Sequence, residues 1–159
     1  MNLFDRYKND EGFVLATHVF VNVSHFRKLL SEFPWHSQTD WVQWGLLEAT
    51  LIKARALTDF LITDSPKHSD DFLAKSMVAN WVQPESDFSE LRGLVNKQVA
   101  HFAQQRIIGN QQELAIASDY LIAQLRMVDL IFSRFEKELD KEDPDLYSEL
   151  IKQFPIFLA

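Results

Sequence analysis

No cysteine occurs anywhere in the chain. That single absence removes disulfide frameworks, thiolate zinc sites and cysteine nucleophiles, and it fits a reducing compartment. Glycine and proline are scarce, four and five among 159 residues. Many-stranded folds lean on Gly and Asn-Gly for their tight hairpins, so the scarcity points to helices. Long apolar runs are missing too. The longest, Gly12 to Val23, is interrupted by His18 and Asn22, and it falls short of the roughly 20 residues that span a bilayer. The opening MNLFDRYKNDEG is charged and lacks the apolar region of a secretory signal. These features lead us to expect a cytoplasmic protein without membrane association.

Several chemical grammars are absent as well. The chain has no glycine-rich phosphate loop, no His-x-x-x-His pair, no carboxylate pair at metal spacing and no nucleophile elbow. His18 and His25 lie seven apart, about 10 Å along a helix axis, too far to share a metal ion. We expect neither a metal nor a cofactor. Trp35, Trp41, Trp44 and Trp81 fall near predicted helix ends, where tryptophan anchors cores and interfaces more often than it stacks on bases.

What is present describes a folded protein. An apolar share of 47% with 25% charged residues suits one globular core, and a chain of this length gives no reason to expect a second domain. The net charge is −7, but it is unevenly spread. Glu136, Glu138, Asp140, Glu142, Asp143, Asp145 and Glu149 face only Lys137 and Lys141, giving −5 within residues 136–149. An acidic chain disfavours non-specific binding to a phosphate backbone, although it leaves room for a small basic site.

Apolar spacing predicts an all-α chain. Phe13, Ala16, Phe20, Val23, Arg27 and Leu30 recur at helical intervals over 13–33, before Pro34. Thr39 or Asp40 can cap a second helix to about Thr63, with Leu47, Leu51, Ala54, Thr58 and Leu61 inward. Asp70-Asp71 precedes a short connecting helix over 72–78. A third long helix opens at Ser86 or Asp87, with Phe88, Leu91, Val95, Val99 and Phe102 on one face, and ends at Gly109-Asn110. The fourth, about 111–139, repeats Leu114, Leu121, Val128 and Phe135 every seven residues, interleaved with Leu125, Phe132 and Leu139, the seam of an antiparallel bundle. Pro144 can begin a last helix to Gln153, followed by an apolar tail. The expected architecture is an up-and-down four-helix bundle with a short connecting helix and a C-terminal helix; residues 1–12 form an N-terminal extension, and 140–159 hold the last helix and tail. Parts of helices one and four are apolar over more than half their circumference, and a symmetric homodimer is the commonest cover for such surplus.

Two groups of residues can carry chemistry. On helix two, Glu48, Arg55 and Asp59 fall within about 40° of one another, so the Arg55–Asp59 pair can present an anchored guanidinium to a phosphate or carboxylate. A solvated ion pair has the same signature. On helix three, His101 lies beside Leu94 and Gln98 at the edge of the apolar stripe, with Asn96 about 140° away. An imidazole there can act as general acid or base, and it can equally be a packing residue. Arg106 can bind last-turn carbonyls, or close an anion pocket with Lys97 and Arg92 if another helix or subunit joins them, since the three point in different directions.

The run NKQVAHFAQQR, Asn96 to Arg106, with EATLIKARALTDFL, Glu48 to Leu61, and the Asp70-Asp71 link, resembles a group of bacterial helical proteins. That group is similar in turn to the HEPN superfamily, especially its branch associated with abortive phage infection. The resemblance runs from about Thr39 to Phe135. It implies a dimeric helical bundle in which two copies of an arginine, a polar residue and a histidine cleave RNA without metal. Asn96 matches the polar position and His101 the histidine. The position before Asn96, where the family has arginine, is Val95, and the group expected to stabilise phosphorane charge is therefore missing. Arg55 or Arg106 could stand in from a neighbouring helix. Three readings follow: a non-catalytic HEPN-like module binding nucleotide, RNA or a protein partner in a defence or stress system; a metal-independent ribonuclease; or a helical interaction domain with no nucleic-acid role.

Overall fold

Five α-helices and one 3-10 turn make up the described part of the chain, which in this computed structural model is residues 11–33, 38–66, 68, 71–85, 88–95 and 111–153. Among these residues there is no strand. Helix α1 spans Glu11–Ser31, α2 Asp40–Ile62, α3 Ser89–Val95, α4 Gln111–Glu142 and α5 Pro144–Gln153. A helical bundle is what the apolar spacing led us to expect.

The inward stripes match that spacing closely. Phe13, Ala16, Phe20, Val23 and Phe26 of α1 are buried, as are Leu51, Ala54, Thr58 and Leu61 of α2. On α4 the predicted seam residues Leu121, Leu125, Val128, Phe132, Phe135 and Leu139 are buried, while the side chain of Leu114, the first of that seam, lies outside the described residues. Phe26 was not expected inside; it shows that the buried face of α1 is wider than a strict stripe. Thr50 and Thr58 are tolerated in the core because each hydroxyl donates to the carbonyl one turn back, Leu46 O and Ala54 O, both at 2.7 Å.

Aromatic rings tie these helices together. Phe20 of α1 meets Phe132 of α4 edge-on at 5.7 Å and Tyr147 of α5 at 6.4 Å. Phe60 of α2 meets Phe135 of α4 at 5.1 Å, close to perpendicular. Such geometries add roughly 0.5–1.5 kcal/mol each beyond area burial.

The expected connecting helix over 72–78 is corrected to a single 3-10 turn, Ala74–Ser76. Its chain is spent on anchoring: Leu73, Ala74, Val78 and Trp81 are all buried. Trp81 packs on Phe135 at 5.5 Å, and its indole N–H donates to Leu61 O at 2.8 Å, satisfying a carbonyl in the last turn of α2. The turn closes on itself instead: Ser76 N–H donates to Leu73 O at 2.8 Å, and the Leu73 N–H donates to Ser76 Oγ at 3.3 Å. Helix α3 begins at Ser89, later than the expected Ser86 or Asp87, which lie outside the described residues. The start and end of α5 agree with expectation, and Asp143 caps it by accepting the Leu146 N–H at 3.0 Å.

Among the described residues, Arg27 carries its charge into the bundle. Arg27 of α1 donates from Nε to Asp129 at 2.5 Å, from Nη1 and Nη2 to the two carboxylate oxygens of Glu136 at 3.1 and 2.8 Å, and from Nη2 to Ser133 Oγ at 2.8 Å. Its side chain is 10% exposed and that of Glu136 8%. Burial pulls the Arg27 pKa down, but hydrogen bonds and attraction from Glu136 and Asp129 outweigh it and hold it above the ordinary value. The Tyr147 phenol is pushed up from its ordinary value by burial first, then by the charges of Glu136 and Asp140, with Arg27 opposing.

Two outcomes follow. Arg27→Met strands the buried Glu136 carboxylate, and chemical unfolding should show a loss of about 3–5 kcal/mol, whereas Arg27→Met with Glu136→Met should recover most of it. A raised folded-state phenol contributes stability below about pH 10 that is lost as pH climbs further. Alkaline absorbance titration should show a late-ionising tyrosine that Tyr147→Phe removes, together with a smaller alkaline loss of stability.

Candidate functional site

Helix α2 turns its Leu51, Ala54, Leu57 and Leu61 side to the core and leaves Arg55 and Asp59 at the edge, four residues apart and one above the other. Helix α3 docks on α2 through Leu91 and Val95, which are 2% exposed. That docking carries Arg92, the neighbour of Leu91, to the same edge.

Asp59 then joins the two arginines. One carboxylate oxygen accepts from Arg92 Nη2 and the other lies 3.6 Å from Arg55 Nε. Two guanidiniums from separate helices thus share one carboxylate. The three side chains are 36–41% exposed, so the arrangement faces solvent and adds at most about 1 kcal/mol to folding.

The cluster forms one wall of a cleft of about 370 Å³, within the range of small-ligand sites. The lining also includes residues of the segment after α2: Thr63, His68, Asp71 and Phe72. That segment is held locally by Asp71, whose carboxylate accepts the His68 backbone N–H at 2.9 Å and whose own N–H donates to His68 O at 3.2 Å. Phe72 lies beside Phe60 with ring centres 6.1 Å apart and planes tilted 31°, which puts two aromatic rings in the lining.

Two arginine forks can grip a phosphate or carboxylate through parallel N–H donors. Asp59 and Asp71 balance them, so the arginines are not in excess over the carboxylates. A single anionic group with an apolar or aromatic body suits such a site better than a long polyanion, which needs clustered uncompensated cations.

Of the site residues expected from sequence, Arg55 and Arg92 are therefore brought together, although they were assigned to different groups. Glu48, expected beside Arg55, lies outside the wall of the cleft. His101, Asn96, Lys97 and Arg106 lie outside the described residues. His68, Asp71 and Phe72 were not foreseen as site residues; Asp71 was noticed only as a helix-start signal. No group of three or more His, Asp or Glu side chains able to hold a metal ion is found among the described residues, and no described helix is long and apolar enough to cross a membrane. No protein-family model, curated protein or solved structure matches the chain.

Asp59 both aligns and neutralises the arginines, and the second effect is larger. At about 4 Å a unit charge is worth roughly 1–4 kcal/mol in surroundings between water and protein surface. Asp59→Asn should therefore tighten binding of inorganic phosphate several-fold at low salt, measured by calorimetry, while its unfolding free energy moves by less than about 1 kcal/mol.

Proposed function

We propose that this chain is a non-catalytic helical binding module that receives an anionic group of its ligand between Arg55 and Arg92, in keeping with the HEPN-like resemblance in its sequence. The ligand is a nucleotide, an RNA end or a protein partner offering a phosphate or carboxylate. The observation that carries this reading is the convergence of two arginines from α2 and α3 on one carboxylate at the wall of one cleft. Asp59 restrains both forks before any ligand arrives, which lowers the ordering cost of binding.

Val95 supports the non-catalytic form. It takes the position where the family has its arginine, and it is 2% exposed among the core residues of the bundle. Its side chain serves packing. The ribonuclease reading rests on His101 and Asn96, outside the described residues, with Arg55 as the phosphate clamp.

The test is titration of the full chain with inorganic phosphate, pyrophosphate, a nucleoside monophosphate and a 5′-phosphorylated RNA oligonucleotide. Binding should weaken with added salt. Arg55→Gln and Arg92→Gln should each reduce affinity by roughly tenfold or more, as expected for losing a charged hydrogen bond. A mixed RNA pool should survive with EDTA present. Cleavage that disappears in His101→Ala would contradict this reading and establish the ribonuclease instead.

A further inference from the structure

The outer side of α4 does not follow the pattern of a solvated helix. Leu130 is 65% exposed, Tyr120 50% and Met127 41%. With the exposed Ala123 they follow one another at intervals of three, four and three. At 100° per residue the four fall within about 80° of helix surface, the width of a coiled-coil seam. Exposed apolar side chains scattered singly need no explanation, but a continuous row of this length does.

The same row continues toward the C-terminal end of the helix with a change of character. The next positions in the three-four alternation are Arg134, Lys137 and Lys141, all exposed, and Arg126 lies at the edge of the apolar half. Lys141 is partly balanced by Glu138, which accepts from it at 2.8 Å. Arg134 is held in place: its guanidinium carbon lies 5.1 Å above the Trp81 ring, and Nη2 donates to Val82 O at 3.3 Å. Val82, itself 66% exposed, borders the row there. In a chain of net charge −7, a helix face that is apolar at one end and cationic at the other runs against the prevailing sign.

The geometry points to α4 as a docking surface for an acidic amphipathic helix of a partner protein, its apolar residues against Tyr120, Ala123, Met127 and Leu130 and its carboxylates beside Arg126, Arg134 and Lys137. Charge complementarity selects this occupant over a second copy of the chain. A parallel twofold pairing of α4 sets Arg134 and Lys137 against their own counterparts, and an antiparallel one centred on the apolar stretch does the same to Arg126. Like charges juxtaposed across an interface are costly. A helix with leucines at the a and d positions and glutamates flanking them meets neither problem. This surface is separate from the Arg55–Arg92 cleft and does not depend on it.

The test uses the full chain and a fluorescently labelled three-heptad helical peptide with Leu at a and d and Glu at the flanking positions, beside an otherwise identical peptide carrying Lys for Glu. Anisotropy should report binding of the glutamate peptide, weakened at least tenfold by Leu130→Glu and by Lys137→Glu and reduced by salt, with little binding of the lysine peptide. Both substituted positions are exposed, so circular dichroism and phosphate binding at the cleft should be unchanged. Three results would overturn the proposal: no binding of the glutamate peptide, equal binding of both peptides, or a wild-type dimer in sedimentation that Leu130→Glu dissociates, which would give the face to a second copy.

Discussion

Arg27 joins α1 to three residues of α4 from a position almost closed to solvent. A guanidinium that is 10% exposed must find its partners or destabilise the fold, and those partners lie more than a hundred residues away on α4. Asp129, Ser133 and Glu136 occupy successive turns of that helix. Sliding α1 along α4 by one turn breaks the whole set at once. Apolar packing alone is more forgiving, since Phe, Leu and Val tolerate shifted neighbours. In this bundle the ion network fixes the register of α1 on α4, with the guanidinium carbon 5.8 Å above the Phe132 ring, and the aromatic contacts fill in around it.

Once α1 and α4 are registered, the position of α2 follows from Phe60 against Phe132 and Phe135. The Trp81 indole then fixes the end of α2 and directs the returning chain toward α3. The cleft is a product of this sequence of constraints. Arg55 and Asp59 lie one turn apart on a helix pinned by its opposite face, and Arg92 arrives because Leu91 and Val95 are needed inside. The chemistry at the edge is positioned by packing behind it, and this is why the exposed ion pairs can be weak energetically and still well placed.

Three of the seven acids over 136–149 have structural partners that composition concealed. Glu136 is consumed by Arg27, Glu142 accepts the Ala79 N–H at 2.9 Å and Asp143 caps α5. These carboxylates are wiring rather than an acidic tail. Their use inside the fold leaves the arginine cleft and the α4 row as places where the surface departs from the overall negative charge.

The helices were legible in the sequence because periodicity records burial directly: the α4 seam was read residue by residue, and Arg27 was placed on the inward stripe of α1. The identity of its partner was not legible, because Glu136 stands among six other acids and nothing local marks the one that turns inward. The connecting turn was misread as a helix because buried Leu73, Ala74 and Val78 mimic helical spacing over so short a run. The cleft was half visible. Arg55 and Asp59 share a helix face and could be paired by arithmetic, whereas Arg92, His68 and Phe72 reach the site only through tertiary docking and an aperiodic segment, for which spacing carries no signal.

Whether Arg55 and Arg92 act as one anion site can be read from an NMR titration of arginine Nε–Hε resonances with inorganic phosphate. The Arg55 and Arg92 signals should move together with a single dissociation constant while the Arg27 signal, locked in its buried network, stays fixed. Movement of only one of the pair, or of neither while other arginines respond, would contradict a shared site.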